Sequence, residues 1–217
     1  MTLTPLKYLV FSLLFLLPQM VFGGPGQRRT SYVSRSSGII RVDGRDDEPA
    51  WATSAVYEDF TQYEPANGFP SAFETKVRML FDDEGIYVFA EMFDNQPDSI
   101  SKELGRRDSD NQINADWFSV DLCPFDDGVN GFSFKLTVTG VQTDIKRGSG
   151  SAGREVTWDA IWNAGTVITG SGWTAEIFIP FSSIRFPVSG SEYWGINFHR
   201  FVARRKEVSS WNFTDKK

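Results

Sequence analysis

The sequence is poor in the side chains that most often carry out chemistry. Its 217 residues include one cysteine and one histidine. A single cysteine excludes an intramolecular disulfide, and one residue of each kind argues against a Cys/His zinc cluster and a Cys–His nucleophile pair. The sequence also contains no phosphate-binding glycine loop, no Gly-x-Ser-x-Gly elbow and no tandem repeat. These absences argue against most metal-dependent and nucleophilic enzyme classes.

Positive charge is also scarce. The chain has 22 lysines and arginines against 28 acidic residues, which gives a net charge of -6. Nucleic-acid binding requires a basic face, so we expect no nucleic-acid partner. Apolar residues, by contrast, are plentiful: they make up 41% of the chain, with 19 phenylalanines and 7 tryptophans. This content is sufficient for the core of one domain.

One long apolar run lies near the N-terminus. Residues 8–17 are apolar apart from one serine, and they follow Lys7 and precede Pro18 and two glycines. The run is too short to cross a bilayer comfortably, and the flanking residues are typical of a secretory signal peptide over residues 1–24. We therefore expect a periplasmic, cell-envelope or extracellular protein, with an uncleaved N-terminal anchor as the alternative. Residues 25–38 are rich in Gly, Ser and Arg and indicate a flexible lead.

The rest of the chain is organised as short β-strands. Apolar and β-forming residues alternate or cluster in seven segments separated by glycine-containing turns, at residues 75–82, 86–94, 115–122, 132–138, 164–169, 173–179 and 193–203. This spacing predicts an all-β fold, a two-sheet antiparallel β-sandwich of jelly-roll type over residues 39–212, followed by a short tail at 213–217. A single helical turn is expected at 180–184. The side chains predicted to be buried are Trp51, Phe118, Val120, Leu122, Phe134, Leu136, Ile177 and Phe198.

Strand alternation also predicts which polar side chains share a face. In residues 116–123, Phe118 and its alternate neighbours face one way, while Trp117 and Ser119 face the other. If the neighbouring strands pair in one sheet, their polar rows form a single patch containing Trp117, Ser119, Asp121, Lys135, Asn197 and His199. An aromatic ring beside hydrogen-bonding groups suits a sugar, which has apolar ring faces and a rim of hydroxyls. The alternative is an ordinary solvated sheet face.

Residues 39–51 form a distinctive opening block that ends at Trp51. Gly44 can adopt the positive φ of a tight turn, Asp43 can accept a hydrogen bond from the backbone, and Asp47 is suited to cap a short helix. Trp51 is expected on the buried side of that helix. The block resembles the opening of carbohydrate-binding module family 9, whose members begin with an Ile/Val-Asp-Gly-x-x-Asp-Glu-x-x-Trp signature.

The resemblance extends over most of residues 39–211. Within the family, the chain most resembles a subgroup of exported bacterial proteins in which this module precedes a large β-rich C-terminal domain. Four further motifs resemble that subgroup, namely Arg106-Arg107-Asp108, Trp158-Asp159-Ala160-Ile161-Trp162, Ile184-Arg185-Phe186 and Ser209-Ser210-Trp211.

The resemblance implies a non-catalytic module of an exported bacterial protein, attached to or derived from a glycan-degrading protein and binding a polysaccharide or oligosaccharide. Family members are often fused to glycoside hydrolases. The alternative is a structural or interaction domain that docks to its own C-terminal domain without binding sugar.

The same resemblance implies a set of site residues. Trp211 matches one of the two tryptophans with which family members clamp a sugar, whereas Ile113 falls near the other. Lys135 falls near the family's arginine, and Ser119 near its acidic residue. We therefore expect a shallow sugar site near Trp211 that also includes Lys135, Asn197, Trp117 and Ser119. Burial of Trp211 would instead make it a core residue and favour the interaction-domain alternative.

Carboxylates are present, but no motif pairs them for catalysis. Glycoside hydrolysis requires two of them flanking one bond, so we expect no enzyme and no catalytic residue among Asp108, Asp110, Asp116, Asp121 and Asp159. We expect no cofactor and no dedicated metal site. A structural calcium ion bound by acids of residues 108–116, with Asn111 and Asn114, is an open alternative because calcium prefers several oxygen ligands.

Overall fold

The computed structural model describes residues 28–109, 112–125, 127–148, 153–187 and 193–216. The signal peptide expected at 1–24 lies outside the described residues and stays a prediction. Helical structure in the described ranges consists of short 3-10 turns, Pro49–Thr53, Pro97–Ser99, Phe181–Ser183 and Ala203–Arg205. The third of these matches the helical turn expected at 180–184. None of the helices within these ranges is long and apolar enough to cross a membrane.

The strands form two sheets. The first has six strands, in the order β1-β4-β5-β11-β10 with β2 beside β4: β1 (Ser34–Arg35), β2 (Val56–Tyr57), β4 (Thr75–Phe81), β5 (Gly85–Phe93), β10 (Asn163–Thr169) and β11 (Gly172–Pro180). The second has seven, in the order β3-β13-β12-β6-β7-β8-β9: β3 (Thr61–Glu64), β6 (Trp117–Cys123), β7 (Gly131–Thr137), β8 (Gln142–Arg147), β9 (Arg154–Glu155), β12 (Gly195–Val202) and β13 (Glu207–Ser210). Apart from the parallel contact of β1 with β4, neighbouring strands run antiparallel. The predicted β-sandwich is confirmed.

The core lies between the inner faces of the two sheets. Seven of the eight side chains predicted to be buried belong to this core and are 0% exposed, whereas the eighth, Trp51, is 2% exposed and belongs to a separate cluster. Phe118 of the second sheet stacks on Phe198 of the adjacent strand, with ring centroids 6.1 Å apart. The first sheet contributes Val88, Ala175 and Ile177 to the same cluster. Alternation along the strands therefore predicted correctly which faces meet.

The opening block packs on the outer face of the six-stranded sheet. Gly44 adopts a φ of 86°, and the carboxylate of Asp43 accepts a hydrogen bond from the backbone N–H of Arg45 at 3.0 Å. Trp51 is 2% exposed and packs on Phe89, with ring centroids 5.7 Å apart. The predicted turn and the predicted burial of Trp51 are confirmed.

The expected helix cap is wrong. The short helix begins at Pro49, with Glu48 rather than Asp47 as the preceding cap residue, and no side chain caps it. The carboxylate of Glu48 instead accepts a hydrogen bond from the backbone N–H of Arg41 at 2.9 Å. A single 3-10 turn leaves few unpaired N–H groups, so a side-chain cap is less important here than at an α-helix.

A buried carboxylate holds the opening block in place. Oε2 of Glu176, a fully buried residue of β11, accepts hydrogen bonds from the backbone N–H groups of Asp43 and Gly44 at 2.8 and 2.9 Å. Gly165 on the adjacent strand permits this close approach, because a Cβ there would lie 2.6 Å from the carbonyl carbon of Asp43. Burial raises the pKa of Glu176 to about 7, although the two N–H groups oppose the shift.

Residues 28–38 differ from the flexible lead predicted from their composition. Strand β1 pairs with β4, and the guanidinium of Arg29 donates hydrogen bonds to the backbone carbonyls of Glu58 and Asp59 at 2.7 and 3.0 Å. The backbone N–H of Arg29 also donates to the side chain of Asn212 at 2.9 Å. This segment is therefore packed against the sandwich. Composition alone could not reveal this packing, because it depends on pairing with β4 and on hydrogen bonds to residues distant in sequence.

Two motifs singled out in the sequence meet at a second buried carboxylate. Asp144 of β8 is fully buried and accepts hydrogen bonds from the backbone N–H of Ala160 at 2.6 Å and the indole N–H of Trp162 at 3.1 Å. Arg107 donates to the same carboxylate and to the carbonyl of Ala160. The Arg-Arg-Asp and Trp-Asp-Ala-Ile-Trp motifs thus fasten two loops to one strand, which is a structural role.

Candidate functional site

A polar groove lies on the outer face of the seven-stranded sheet. Its volume is about 410 Å³, within the usual range for small-ligand sites. Strands β6, β7, β8, β9 and β12 supply its walls and floor. The polar groove is defined by the side chains or backbone of Trp117, Ser119, Ser133, Lys135, Ile145, Arg147, Gly153, Arg154 and His199.

Strand register explains why residues distant in sequence meet in the polar groove. Ser119 lies directly opposite His199 on one neighbouring strand and opposite Lys135 on the other. Ser133 lies opposite Ile145. Side chains opposite each other in an antiparallel pair point to the same face, with Cβ atoms about 5 Å apart. Three of these strands, β12, β6 and β7, are the central strands of the sheet.

One wall of the groove is aromatic. The half-buried ring of Trp117 stacks on that of Phe201, with centroids 5.5 Å apart and planes inclined by 25°. The ammonium nitrogen of Lys135 lies 5.2 Å from the centroid of the Trp117 ring. An ammonium group at this distance is attracted by the electron-rich ring face, which positions Lys135 beside the aromatic wall.

A carboxylate beneath the groove organises its polar side chains. Asp121 accepts a hydrogen bond from the Ser133 hydroxyl at 2.6 Å, and its other oxygen lies 2.9 Å from Nη2 of Arg147 and 3.4 Å from Nε2 of His199. Burial tends to raise the pKa of Asp121. The hydrogen bond from His199 and the charge of Arg147 outweigh this effect and hold that pKa below its ordinary value.

The groove floor is not a solvated sheet face. Ser119, Asp121 and Lys135 are only 5%, 8% and 9% exposed, respectively. The polar row predicted from alternation therefore exists, but it lies at the bottom of a depression. A ligand entering this depression would lose water on several sides, which strengthens each polar contact.

Three of the five predicted site residues come together. Trp117, Ser119 and Lys135 all line the polar groove. Asn197 lies on the same face, two residues from His199, but its amide donates to the backbone carbonyl of Asn212 at 2.9 Å and accepts from the N–H of Asn212 at 2.7 Å. Its side chain therefore fastens the C-terminal segment and does not line the groove.

Trp211 is a core residue, contrary to the exposed stacking position expected for it. Its side chain is 5% exposed and packs against Tyr57 and Phe198, with ring centroids 5.0 and 5.9 Å away. The guanidinium carbon of Arg29 lies 5.8 Å from the ring centroid on the outside. Trp211 continues the inward row of Glu207 and Ser209, both 1% exposed, so strand alternation turns it into the sandwich.

The other candidate carboxylates that the structure describes have partners within the protein. Asp116 is fully buried and accepts a hydrogen bond from the backbone N–H of Ala203 at 3.0 Å. Asp108 accepts from the backbone N–H of Asp144 at 3.3 Å, and Asp159 lies 3.2 Å from Arg107. Burial raises the pKa of Asp116 and of Asp108.

The calcium alternative stays untested. No group of three or more His, Cys, Asp or Glu side chains within the described part of the chain is arranged to hold a metal ion. Asp110 and Asn111, which belong to the segment considered for calcium, lie outside the described residues.

The cationic rim of the groove was missed from the sequence. Arg147 and Ile145 belong to β8, and Arg154 to β9, and neither strand was predicted. The only signal was the alternation of Thr143 and Ile145, which is weak because the intervening residues are polar and the strand is short. Thr143, Asp144 and Ile145 are all buried, so burial along this strand does not follow the alternation.

A wider depression of about 650 Å³ lies beside the opening block. It is bounded by the opening block and by strands β5, β10 and β11, with Ile40, Val42, Tyr87, Trp162 and Phe178 among its lining residues. Tyr87 and Phe178 stack on each other there, with centroids 4.5 Å apart. The described lining carries no charged side chain, in contrast to the polar groove.

Comparison with known proteins identifies the fold. No protein-family model matches the chain, and neither does any curated protein sequence. Solved structures do match. A family 9 carbohydrate-binding module from Caldicellulosiruptor kristjanssonii in complex with cellotriose superposes with a TM-score of 0.54 at 16% identity, over 82% of this chain and 81% of that one.

Two further structures agree. The glucose complex of a family 9 module from the same organism gives a TM-score of 0.55 at 16% identity, over 82% and 84% of the two chains. A candidate carbohydrate-binding protein from Bacteroides uniformis gives 0.61 at 12% identity, over 84% and 88%. The chain is therefore a β-sandwich domain with the fold of the family 9 carbohydrate-binding modules.

Proposed function

We propose that the polar groove binds a saccharide and that the domain is a non-catalytic carbohydrate-binding module of an exported bacterial protein. One observation carries the proposal: an aromatic wall and a set of hydrogen-bonding side chains converge in one depression of ligand size. Sugars require this combination, because a pyranose presents apolar C–H faces and a rim of hydroxyls. The saccharide complexes of two modules with the same fold support it.

Each groove residue has a role in this proposal. The half-buried indole of Trp117 offers apolar surface to a sugar ring. The Ser119 hydroxyl can donate and accept hydrogen bonds, and the Ser133 hydroxyl, which donates to Asp121, can accept one from a sugar hydroxyl. Lys135 donates from a position beside the aromatic wall. The rigid central strands hold these groups in place before the ligand arrives, which limits the entropy lost on binding.

The carboxylate chemistry of the groove favours binding over hydrolysis. Glycosidases use two carboxyl groups, one of them with a raised pKa that allows it to donate a proton. Asp121 lies beneath the groove with its pKa lowered, and it already accepts from Ser133 and Arg147. Such a group stays ionised and orients its neighbours.

Export and attachment to a glycan-degrading protein complete the proposal. The apolar run of residues 8–17, after Lys7 and before Pro18, supports a secretory signal. A module held on glycan would be useful to an exported protein that acts on the same material.

A second function is favoured by one observation. Trp211, which the resemblance matched to one of the family's two sugar-clamping tryptophans, is buried in the core. An interaction domain that docks to a C-terminal domain or an envelope partner is therefore the competing proposal. The two differ in what they require of Trp117, because only saccharide binding needs that ring in the groove to contact a small ligand.

The test is a pair of tryptophan substitutions in the purified protein. A glycan array would identify a binding saccharide, and calorimetry would compare Trp117→Ala with Trp194→Ala. Loss of one aromatic–sugar contact is worth about 1–1.5 kcal/mol, so Trp117→Ala should weaken binding about 5- to 15-fold. Trp194 lies outside the groove in a cluster with Phe181 and Phe186, so its replacement should leave affinity unchanged.

Two results would contradict the proposal. The first is an array on which no saccharide binds to folded protein. The second is an equal loss of affinity in both variants, which would mean that Trp117 acts through general stability. Melting temperatures of both variants serve as the control for folding.

A further inference from the structure

The polar groove is cationic although the protein is acidic. Its described lining includes Lys135, Arg147 and Arg154 and contains no aspartate or glutamate. The chain as a whole has a net charge of -6. Three cationic side chains from three different strands are thus gathered in one depression. This concentration of charge would attract an anionic group and raise its local concentration.

Asp121 is the anion that the cationic lining of the groove contacts from above. Its carboxylate lies beneath the groove, where Arg147 is its nearest cation at 2.9 Å. Lys135 and Arg154 also make other contacts within the domain, so a ligand would share these cations with the protein. The described lining therefore offers cationic side chains, and no carboxylate, to a ligand.

We infer that the saccharide bound in the polar groove is acidic and that the carboxylate of a uronic acid residue contacts Arg147 and Lys135. This inference rests on the proposed function and specifies its ligand class. A guanidinium presents a planar fork of donors that matches a carboxylate, whereas a neutral sugar needs no such charge. The structurally similar modules are in complex with cellotriose and glucose, which are neutral, so this groove would differ in its preference.

The position of Arg147 suits this role. Its side chain is 49% exposed at the groove rim, and the residue opposite it on β7 is Gly131, which has no side chain to cover it. Lys135 lies deeper, beside Trp117. A uronate ring resting on the aromatic wall would therefore lie within the reach of one deep and one peripheral cation.

The experiment compares one saccharide with and without its charge. Trigalacturonate and its methyl ester have the same rings and linkages, and only the free acid is anionic. Calorimetry at about 20 mM and about 500 mM NaCl should show the acid binding about tenfold more tightly than the ester at low salt, with the difference shrinking at high salt. A panel of glucuronate-containing, neutral and sulfated oligosaccharides, measured in parallel, extends the comparison to other sugars and to a different anion.

A pair of substitutions localises the effect. Arg147→Gln should reduce affinity for the acid far more than affinity for the ester, so that the roughly tenfold preference for the acid is lost. Lys146→Gln is the matched control, because Lys146 is adjacent on the same strand, points to the opposite face and pairs with Glu155 at 3.2 Å. It should leave both affinities unchanged.

The outcomes separate the inference from the proposed function. Neutral saccharides that bind through Trp117 as tightly as acidic ones would overturn the inference and keep the proposed function. A preference for sulfated saccharides alone would overturn the choice of a carboxylate. Failure of every saccharide to bind folded protein would overturn both.

Discussion

Replacing Arg200 by methionine is expected to destabilise the domain by about 3–5 kcal/mol, the usual cost of removing one partner from a buried charge network. Arg200 lies on β12 and is 0% exposed. Its guanidinium crosses to the other sheet, where it donates to the carbonyls of Glu74 and Phe93 at 2.8 and 2.7 Å and to the hydroxyl of Thr75 at 3.0 Å. It therefore fastens one sheet to the other.

The large effect follows from the anions around Arg200. Burial lowers the pKa of Arg200 to about 10, opposed by the charges of Asp116, Asp94 and Glu207, so the side chain stays cationic at neutral pH. Asp116 is itself 0% exposed and gains stabilisation from Arg200. Methionine fills a similar volume but removes a charge that stabilises this carboxylate and one hydrogen bond from each of three acceptors.

Urea unfolding at neutral pH measures the effect. Arg185→Met is the matched control, because Arg185 is exposed and the same exchange there should change the free energy of unfolding by less than about 0.5 kcal/mol. A loss below about 1 kcal/mol for Arg200→Met would contradict the cross-sheet role.

Glu176 is expected to make the domain less stable as pH rises through neutrality. Its pKa is about 7 in the folded protein, against 4.5 for an ordinary glutamate, because it is buried under the opening block. The folded state thus holds a proton that the unfolded state releases between these values. This group favours folding most below about pH 4.5, and the benefit is lost as pH rises through 7. Over the whole pH range, this group changes the free energy of unfolding by about 3 kcal/mol.

Glu176→Gln isolates this effect from other titrating groups. The glutamine oxygen can still accept from the N–H groups of Asp43 and Gly44, and it does not ionise. The stability of the variant relative to the natural chain should therefore increase by about 2.5 kcal/mol between pH 5 and pH 8, measured by urea unfolding at both values. A difference that is the same at both pH values would mean that Glu176 does not hold the proton.

Both residues illustrate what the sequence could and could not predict. Phe118, Phe134 and Phe198 alternate with polar residues, so their inward direction was predictable from the chemistry of each strand. Glu176 and Arg200 also point away from water, but they are charged. A pattern that assigns polar residues to solvent cannot place them, because only the opposite sheet or the opening block provides their partners.

The same limitation explains why the sequence did not predict the burial of Trp211. The inward row that leads to it consists of Glu207 and Ser209, so hydrophobic alternation gave no sign that this strand face is buried. The resemblance suggested an exposed ring instead. In the protein, Tyr57 and Phe198 cover one side of the ring, and the N-terminal segment bearing Arg29 covers the other.

The sequence predicted the central residues of the groove but not its rim. Register between β6, β7 and β12 follows from their alternation, and it correctly placed Trp117, Ser119, Lys135 and His199 on one face. The curvature that makes this face a groove, and the arginines of β8 and β9 at its rim, depend on pairings between short polar strands. Such strands have little hydrophobic pattern to specify them.

The most direct test of a saccharide-binding groove uses the only histidine of the chain. His199 lines the groove beside Asp121, so its imidazole resonances report on this site without assignment of the rest of the spectrum. In tag-free protein, a binding saccharide is expected to shift these resonances progressively and to saturate them with the dissociation constant measured by calorimetry. Calorimetric binding that leaves the His199 resonances unmoved would contradict the assignment of the site to the polar groove.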